Sequence, residues 1–403
     1  MSVTFAQGFS AAGVAAGISA VEGKKDLALV VNNGPLDAAA GVFTSNRFCA
    51  APVQWSRNIV SDGHVKAVIL NSGGANACTG KPGYEQSKAT AEKVAGLIGA
   101  KAEDVAVCST GLIGELLPLD NVLSGADKAF ETLADTAEAG ADASHAIMTT
   151  DTHKKEYAIQ FELGGKTCTV GAIGKGSGMI APNMATMLAF YTTDAAVSPA
   201  LLEKALKTVV PGTYNQMSVD LDTSTNDTLI IMASGLAGNP EICEENADYA
   251  AFVAALTAIA EHMCAEHAGD GEGATHLITC EVTHAPDLKT ARAVSRSVVC
   301  SNLFKAAVFG RDANWGRILC AIGYTPGDFS IDKVCVWLSS KAGEVYVCEN
   351  AAYHPYSEDE AAKVLAEHDI LVKVDMGTGE ASAKAWGCDL TYDYVKINGD
   401  YRT

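Results

Sequence analysis

The sequence has no long apolar segment and no excess of basic residues, and each absence excludes a class of function. No run approaches the ~18 consecutive apolar residues that a membrane-spanning helix needs, and residues 1–26 lack the basic start and continuous apolar core of a signal peptide. Acidic residues number 48 against 29 basic residues, which gives a formal net charge of −19. Most of the surface would therefore repel nucleic acid or an anionic membrane. We expect a cytoplasmic protein without either partner.

The sequence also lacks the common motifs of metal and serine-hydrolase sites. None of its twelve cysteines forms a CxxC pair, and most lie in apolar runs, where a thiol behaves as a small hydrophobe and a reducing compartment is favoured. His262 and His267 are spaced one residue too far apart for a zinc helix and would not share a helix face well. The segment 218–228 begins like a calcium loop, but the loop's glycine and glutamate are missing. We predict no metal site, no GxSxG nucleophile and a hydrogen-bonded structural loop at 218–228.

Composition and pattern predict a folded α+β protein. Hydrophobic residues make up 48% and charged residues 19% of the 403 residues, which is typical of a globular chain with a full core. Strands and helices are intermixed without regular βαβ alternation, which favours layers with mixed sheets over a doubly wound parallel fold. Strands are predicted at 26–32, 65–71, 104–108, 156–163, 167–172 and 229–233, and a further strand is predicted to end at 282. Helices are predicted at 85–97, 121–133, 137–148, 199–209, 246–266 and 286–299. Residues from 300 onwards are predicted to alternate short strands with one helix at 357–367, ending in the segment 390–397.

The segment 171–192 contains an unusual turn between two apolar, strand-like runs. Glycines surround Lys175, and glycine is favoured where backbone needs positive φ or a close approach. Neither a Walker A loop nor a GxGxxG pattern fits, so a structural turn and a functional turn stay equally open at this point. Thr186 follows Ala185 and opens the second apolar run. A threonine there would become a nucleophile if the chain broke just before it.

Seven motifs, spread in order over essentially the whole chain, resemble one family. They are NSGGANACTG, CSTGLIGE, MTTDT, GKGSGMIAPNMATMLAF, DGEGATH, RDANWGR and DLTYDYVKINGDYRT. Together they resemble the ornithine acetyltransferase (glutamate N-acetyltransferase) family of arginine biosynthesis. The resemblance implies a mixed-sheet layered sandwich with helices on its outer faces, of the kind that self-processing aminopeptidases share, and a smaller C-terminal α/β subdomain.

The resemblance further implies self-cleavage between Ala185 and Thr186. The products would be an α chain of residues 1–185 and a β chain of residues 186–403, interleaved in one fold and paired into a heterotetramer with two copies of each chain. The implied reaction moves acetyl from N2-acetylornithine to glutamate by ping-pong kinetics, with no cofactor and with acetyl-CoA as a further candidate donor. Thr186 would carry the acetyl group, because a free α-amine with a pKa near ~8 can serve as base for its own hydroxyl.

The remaining site residues are also implied by the resemblance. Thr110 and Gly111 would stabilise the oxyanion, an interaction whose loss typically costs roughly 10²–10³ in rate. Lys175 would bind the substrate α-carboxylate, and Glu272 the side-chain ammonium of ornithine. The other implied substrate contacts are Thr149, Asn398 and Thr403.

Two departures and two alternatives remain at this point. Gly74 stands where the family usually has Asn, and Leu221 stands where it usually has Gly, a position that favours positive φ. The segment 311–317, with two arginines beside a tryptophan, receives no catalytic role because packing explains such a tryptophan equally well. A self-processing amidase or aminopeptidase, with water as acceptor, is the alternative enzyme. A binding or assembly protein without activity is the alternative outside enzymes.

Overall fold

The computed structural model of the chain describes residues 1–181 and 187–400, which form three β-sheets covered by helices. Ala185, Thr186 and Thr403 lie outside the described residues. The strands are β1 (Phe9–Val14), β2 (Leu27–Asn32), β3 (Ala38–Phe43), β4 (Ala67–Gly74), β5 (Val105–Leu112), β6 (Lys155–Leu163), β7 (Lys166–Lys175), β8 (Leu188–Thr193), β9 (Met217–Ser218), β10 (Thr228–Ala233), β11 (Leu277–Ala285), β12 (Cys335–Ser340), β13 (Gly343–Glu349), β14 (Ala352–Tyr353), β15 (Asp369–Asp375) and β16 (Ala381–Cys388). The helices are α1 (Ala51–Val60), α2 (Gly80–Ile98), α3 (Leu119–Glu131), α4 (Ala137–Ala146), α5 (Pro199–Val209), α6 (Ala247–Gly269), α7 (Leu288–Val299), α8 (Asn302–Phe309), α9 (Trp315–Gly323), α10 (Glu358–Val364) and α11 (Tyr392–Asp400).

The first two sheets bring the site together. The first has the order β1-β2-β4-β5, in which only β4 and β5 run parallel. The second has the order β3-β10-β8-β7-β6, in which β8 and β10 run parallel and the other pairs antiparallel. The second sheet therefore joins strands from both sides of the Ala185–Thr186 bond.

Alternation along the central strands explains why the second sheet is covered on both faces. Phe190 and Ile230 pack with the first sheet, whereas their neighbours Tyr191 and Ile231 pack into a separate core with α5 and α6. Successive side chains of a strand point to opposite faces, so each central strand contributes to both cores. Helices α2 and α3 pack on the first sheet, while α1 and α4 contact strands of both sheets.

The third sheet has the order β14-β13-β12-β15-β11-β16-β9 and mixes parallel with antiparallel pairs. Its own apolar core includes residues of α7, α8, α9 and α10. The predicted α+β class, the layered mixed sheets and the smaller C-terminal α/β subdomain are confirmed.

The prediction of individual elements was accurate before residue 300 and poorer after it. Strand β2, the β6–β7 hairpin and helices α4 to α7 lie within a few residues of their predicted positions, but β1, β3 and α1 were not predicted. Helices α8, α9 and α11 lie where mainly short strands were expected, so that prediction was wrong. Short apolar runs such as NLFKAAVF fit a buried strand or a helix equally well, and the Ser301 cap decides for the helix.

The described residues bear on the predictions about membrane helices, cysteines and the two histidines. None of the helices in residues 1–181 and 187–400 is long and apolar enough to cross a membrane. All twelve cysteines are free thiols. His262 stacks on Tyr157 with ring centroids 3.7 Å apart, and Nδ1 of the buried His267 bonds to the Met263 carbonyl oxygen. The two histidines therefore have separate structural partners.

Candidate active site

A cavity of about 130 Å³ lies beside the start of β8, between the first two sheets and α11. Its wall contains six of the residues implied by the resemblance: Thr110, Gly111, Thr149, Lys175, Glu272 and Asn398. They come from five separate parts of the chain, so only the folded structure brings them together. The described wall also includes Met187, the residue that follows Thr186 in the sequence.

Thr110 and Gly111 lie at the end of β5, where it runs parallel to β4. Gly111 has a φ of 126°, and a Cβ there would lie 2.5 Å from the carbonyl carbon of Gly73. Only glycine fits this close approach. The Asn226 amide fixes the region by donating to the carbonyl oxygens of Ala75 and Ser109 at 2.6 and 2.8 Å. The arrangement holds Thr110 and Gly111 at the edge of the cavity.

Lys175 ends β7 and directs its ammonium group into the cavity although the residue is buried. Its Nζ lies 3.4 Å from Oγ1 of Thr110, a long hydrogen bond to a neutral partner. Burial lowers the pKa of Lys175 and the nearby Lys155 ammonium adds to that effect, whereas the carboxylates of Asp151 and Glu272 act against it. The ammonium group has no carboxylate within salt-bridge distance among the described residues, so it can receive an anionic substrate group.

Behind Lys175, a fully buried lysine holds two carboxylates. Nζ of Lys155 lies 2.7 Å from Oδ1 of Asp151 and 2.5 Å from Oδ2 of Asp270, and none of the three side chains is more than 2% exposed. Burial opposes the ionisation of Asp151, but the ammonium groups of Lys175 and Lys155 outweigh it and hold the pKa of Asp151 well below its usual range. The trio is therefore a charged group inside the core.

This buried trio reaches the cavity through backbone hydrogen bonds. Asp151 accepts from the amide of Gly176 at 2.7 Å and from the amide of Thr149 at 3.0 Å. The carbonyl oxygen of Asp270 accepts from the Ser177 hydroxyl at 2.5 Å. The trio thus fixes the backbone next to Lys175 and at Thr149.

Glu272 and Asn398 close the opposite side of the cavity. The Glu272 amide donates to the Ser177 carbonyl oxygen at 2.9 Å, and a Cβ on Gly178 would lie 2.4 Å from the Glu272 carboxyl carbon. The Asn398 amide donates to Oε2 of Glu272 at 2.7 Å. Asn398 lies in α11, so the C-terminal segment contacts the cavity rather than projecting away from it.

Met187 carries backbone strain next to the predicted cleavage bond. Its φ is 87°, which a non-glycine residue rarely adopts and which typically costs about 1–3 kcal/mol. The Met187 amide donates to Oδ1 of the buried Asp227 at 2.8 Å. Such strain persists only where surrounding contacts enforce it, and it is concentrated at functional sites.

The comparison with known proteins agrees with the seven motifs. The model of the ArgJ family matches residues 10–403. The chain belongs to the ArgJ family. The family membership predicted from the sequence is therefore confirmed.

Two ArgJ relatives resemble the chain over nearly its whole length, and a solved structure resembles part of it. The arginine biosynthesis bifunctional protein ArgJ of Bifidobacterium longum is 55% identical over 408 residues, covering 100% of both chains. The protein of the same name from Caldanaerobacter subterraneus subsp. tengcongensis is 50% identical over 397 residues, covering 98% of this chain and 97% of the relative. A solved structure of ornithine acetyltransferase complexed with ornithine, from Mycobacterium tuberculosis, is 47% identical over 46% of this chain and 96% of its own, with a TM-score of 0.42.

The two departures from the ArgJ pattern are locally accommodated. Leu221 has a φ of 72°, as expected where glycine is usual, and its side chain is 49% exposed. Gly74 ends β4, where a Cβ would lie 2.6 Å from Cδ2 of Leu117. A side chain at position 74 would thus require Leu117 to move.

Sequence reasoning missed the residues that support the site. Asp151, Lys155 and Asp270 had no predicted role, and Asp227 was included in a loop interpreted as structural. That loop is hydrogen-bonded as predicted, since Asp220 accepts from three backbone amides, but its end also lines the cavity. Among the residues described, no group of three or more His, Cys, Asp or Glu side chains is arranged to hold a metal ion.

Replacing Lys155 by methionine tests the structural weight of the buried trio. K155M keeps most of the side-chain volume but leaves two buried carboxylates without their cation, so we expect a loss of about 3–5 kcal/mol in the free energy of unfolding. Urea unfolding of the purified protein measures this loss. K373M is the matched control, because Lys373 and Glu344 form a surface pair with side chains 41% and 43% exposed and should contribute less than about 1 kcal/mol. Equal losses in the two variants would contradict the assigned role of Lys155.

Proposed function

We propose that the chain is a glutamate N-acetyltransferase of arginine biosynthesis, which moves acetyl from N2-acetylornithine to glutamate. The observation that carries the proposal is the single cavity in which Thr110, Gly111 and Lys175 meet Met187, the neighbour of Thr186. Curated relatives over the full length are arginine biosynthesis bifunctional proteins, which favours this function over the amidase alternative. Acetyl-CoA is proposed as a second candidate donor.

The proposed mechanism starts with a break in the chain between Ala185 and Thr186. The Thr186 hydroxyl would then attack the donor acetyl group, with the new α-amine as base. Thr110 and Gly111 would bind the oxyanion, since donors that are held in position before the reaction stabilise the charge that develops. The acetyl group would remain on Thr186 Oγ while ornithine leaves and glutamate enters, which produces ping-pong kinetics.

Charge complementarity supports the proposed substrate contacts. Both amino-acid substrates carry an α-carboxylate, and the Lys175 ammonium is the buried cation that faces the cavity. Glu272 is a suitable partner for the ornithine side-chain ammonium, with Asn398 holding its carboxylate at 2.7 Å. Thr149 and Thr403 are proposed to complete the contacts.

The shared second sheet supports the proposed chain organisation. Strands β3, β6 and β7 precede the predicted cleavage bond and β8 and β10 follow it, so cleavage would leave the two chains joined by sheet hydrogen bonds and both apolar cores. We propose a cytoplasmic heterotetramer of two α and two β chains.

A paired assay tests the proposed function. Purified protein is incubated with glutamate and either N-acetylornithine or acetyl-CoA, and N-acetylglutamate and free acetate are both measured. We expect N-acetylglutamate from N-acetylornithine, whereas free acetate as the main product would favour the amidase. The same assay with T186A should give no transfer, and that variant should run as one uncut chain on a denaturing gel. T186S should retain part of the self-cleavage and part of the acetyl transfer. A T186A protein that still splits into two fragments would contradict the proposed cleavage bond.

Removing the ammonium group of Lys175 should weaken substrate binding more than chemistry. A hydrogen bond to a charged group contributes about 1.5–3 kcal/mol, so K175M should raise KM for both glutamate and N-acetylornithine by roughly 10- to 100-fold. Steady-state kinetics with each substrate varied in turn measures the change. K166M, at the exposed opposite end of β7, is the matched control and should keep the normal KM. An unchanged KM in K175M would remove the lysine from the carboxylate site.

A further inference from the structure

The proposed reaction moves more protons than Thr186 can hold, and this inference rests on that proposed function. When the acetyl C–N bond of N-acetylornithine breaks, the α-nitrogen changes from an amide N–H to an ammonium group and gains two protons. The Thr186 hydroxyl supplies one of them, passed on by the α-amine, as the Oγ–C bond forms. The second proton must come from another group or from water.

Asp227 is a buried carboxyl group in the cavity wall with one oxygen unused. The residue is 1% exposed, and its Oδ1 accepts from the Met187 amide at 2.8 Å. Its Oδ2 has no hydrogen-bond partner among residues 1–181 and 187–400. Buried polar atoms nearly always have a partner, because an unpaired one costs about 1–3 kcal/mol. A bound substrate group is a natural partner for an oxygen in this wall.

The surroundings of Asp227 favour the neutral acid. Burial raises the pKa of Asp227 well above its usual range, and the Met187 amide, the Ser224 and Thr44 hydroxyls and the Lys175 ammonium only partly oppose it. Lys175 and Glu272 are the other charged groups of the described cavity wall. A carboxyl group whose pKa is raised by burial can act as a general acid and later as a base.

Glu272 is a weaker candidate for the same task. Its Oε2 already accepts from Asn398, and its carboxylate is proposed to face the ornithine side chain. Asp227 instead bonds to the residue next to Thr186, where the acetyl group would be transferred. Position and free hydrogen-bonding capacity therefore favour Asp227.

We propose that Asp227 holds the second proton of the transfer reaction. In the first half-reaction it donates this proton to the α-nitrogen of ornithine as the C–N bond breaks. In the second, the glutamate nitrogen bonds to the acetyl carbon, the Oγ–C bond breaks, and the glutamate ammonium loses two protons. One returns to Thr186 Oγ and the other to Asp227, so the cycle closes without a net proton change.

A comparison of two acceptors tests this role. D227N keeps the shape and the oxygen that accepts from Met187 but cannot store a proton. Acetyl-enzyme is formed by long incubation with N-acetylornithine and is then freed of substrate. It is mixed with either glutamate or hydroxylamine. The nitrogen of hydroxylamine is already unprotonated at neutral pH, so this acceptor loses only one proton. We expect transfer to glutamate to fall by about 10²–10⁴-fold in D227N, while transfer to hydroxylamine stays close to that of the unmodified protein.

The matched control is D220N, because Asp220 is a half-buried carboxyl whose two oxygens both accept backbone amides, at 2.6 and 2.8 Å. It should affect the two acceptors equally. Equal slowing of both acceptors in D227N, or unchanged transfer to glutamate, would overturn the proposal. If D227N does not cleave itself, D227E replaces it, and the rate of transfer is measured as a function of pH with each acceptor. The rate of transfer to glutamate should then follow the ionisation of the longer carboxyl side chain in this variant. Identical pH profiles for both acceptors would overturn the proposal.

The failure of the proposed function itself would be recognised separately. In that case the unmodified protein would form no acetyl-enzyme in the first step, before any acceptor is compared.

Discussion

The geometry of the site depends on one buried interaction, the pairing of Lys155 with Asp151 and Asp270. Two carboxylates and an ammonium group are enclosed in the core, where each would be costly alone. The Asp151 carboxylate also accepts from the backbone amides of Thr149 and Gly176, and the Ser177 hydroxyl donates to the backbone carbonyl oxygen of Asp270. Because Asp151 is already paired with Lys155, the ammonium group of Lys175 remains available at the cavity. The buried pairing of Lys155 with two carboxylates thus determines that the substrate would contact the positive charge of Lys175.

The second sheet provides the frame for the proposed chemistry. Strands β7 and β8 pair on either side of the segment that contains Ala185 and Thr186, and β10 joins β8 to β3. A break in a connection of this kind leaves every strand pair of the sheet in place. Next to that connection, the amide of the strained Met187 donates to Asp227. The strained backbone therefore lies beside the carboxyl group whose Oδ2 has no partner among the described residues.

Local signals in the sequence predicted part of this structure well. The two apolar runs of the segment 171–192 identified β7 and β8, although Lys175, predicted to lie in the turn between them, is the last residue of β7. The family motifs brought Thr110, Thr149, Glu272 and Asn398 into one list, and the structure places all four in one cavity wall. The structural support was not predictable in the same way. Asp151 and Asp270 lie within the motifs MTTDT and DGEGATH, but they are far apart in the sequence, and the motifs do not show that both carboxylates are buried against one lysine.

Asp227 illustrates a different limit of sequence reasoning. It lies in the acidic segment 218–228, whose composition indicates a polar loop, and only the folded chain shows that one of its acids is buried with a free oxygen. Similarly, the short apolar runs of α8 and α9 do not reveal their period, so helices were mistaken for strands.

The central claim is that acetyl passes through Thr186, and the mass of the protein tests it most directly. The purified protein is incubated with N-acetylornithine carrying an isotope-labelled acetyl group, quenched in acid and analysed by intact-mass and fragment mass spectrometry. The account predicts a fragment that begins at Thr186 and carries one labelled acetyl group on that residue, which glutamate then removes. An uncut chain, or a label found only on other side chains, would contradict it.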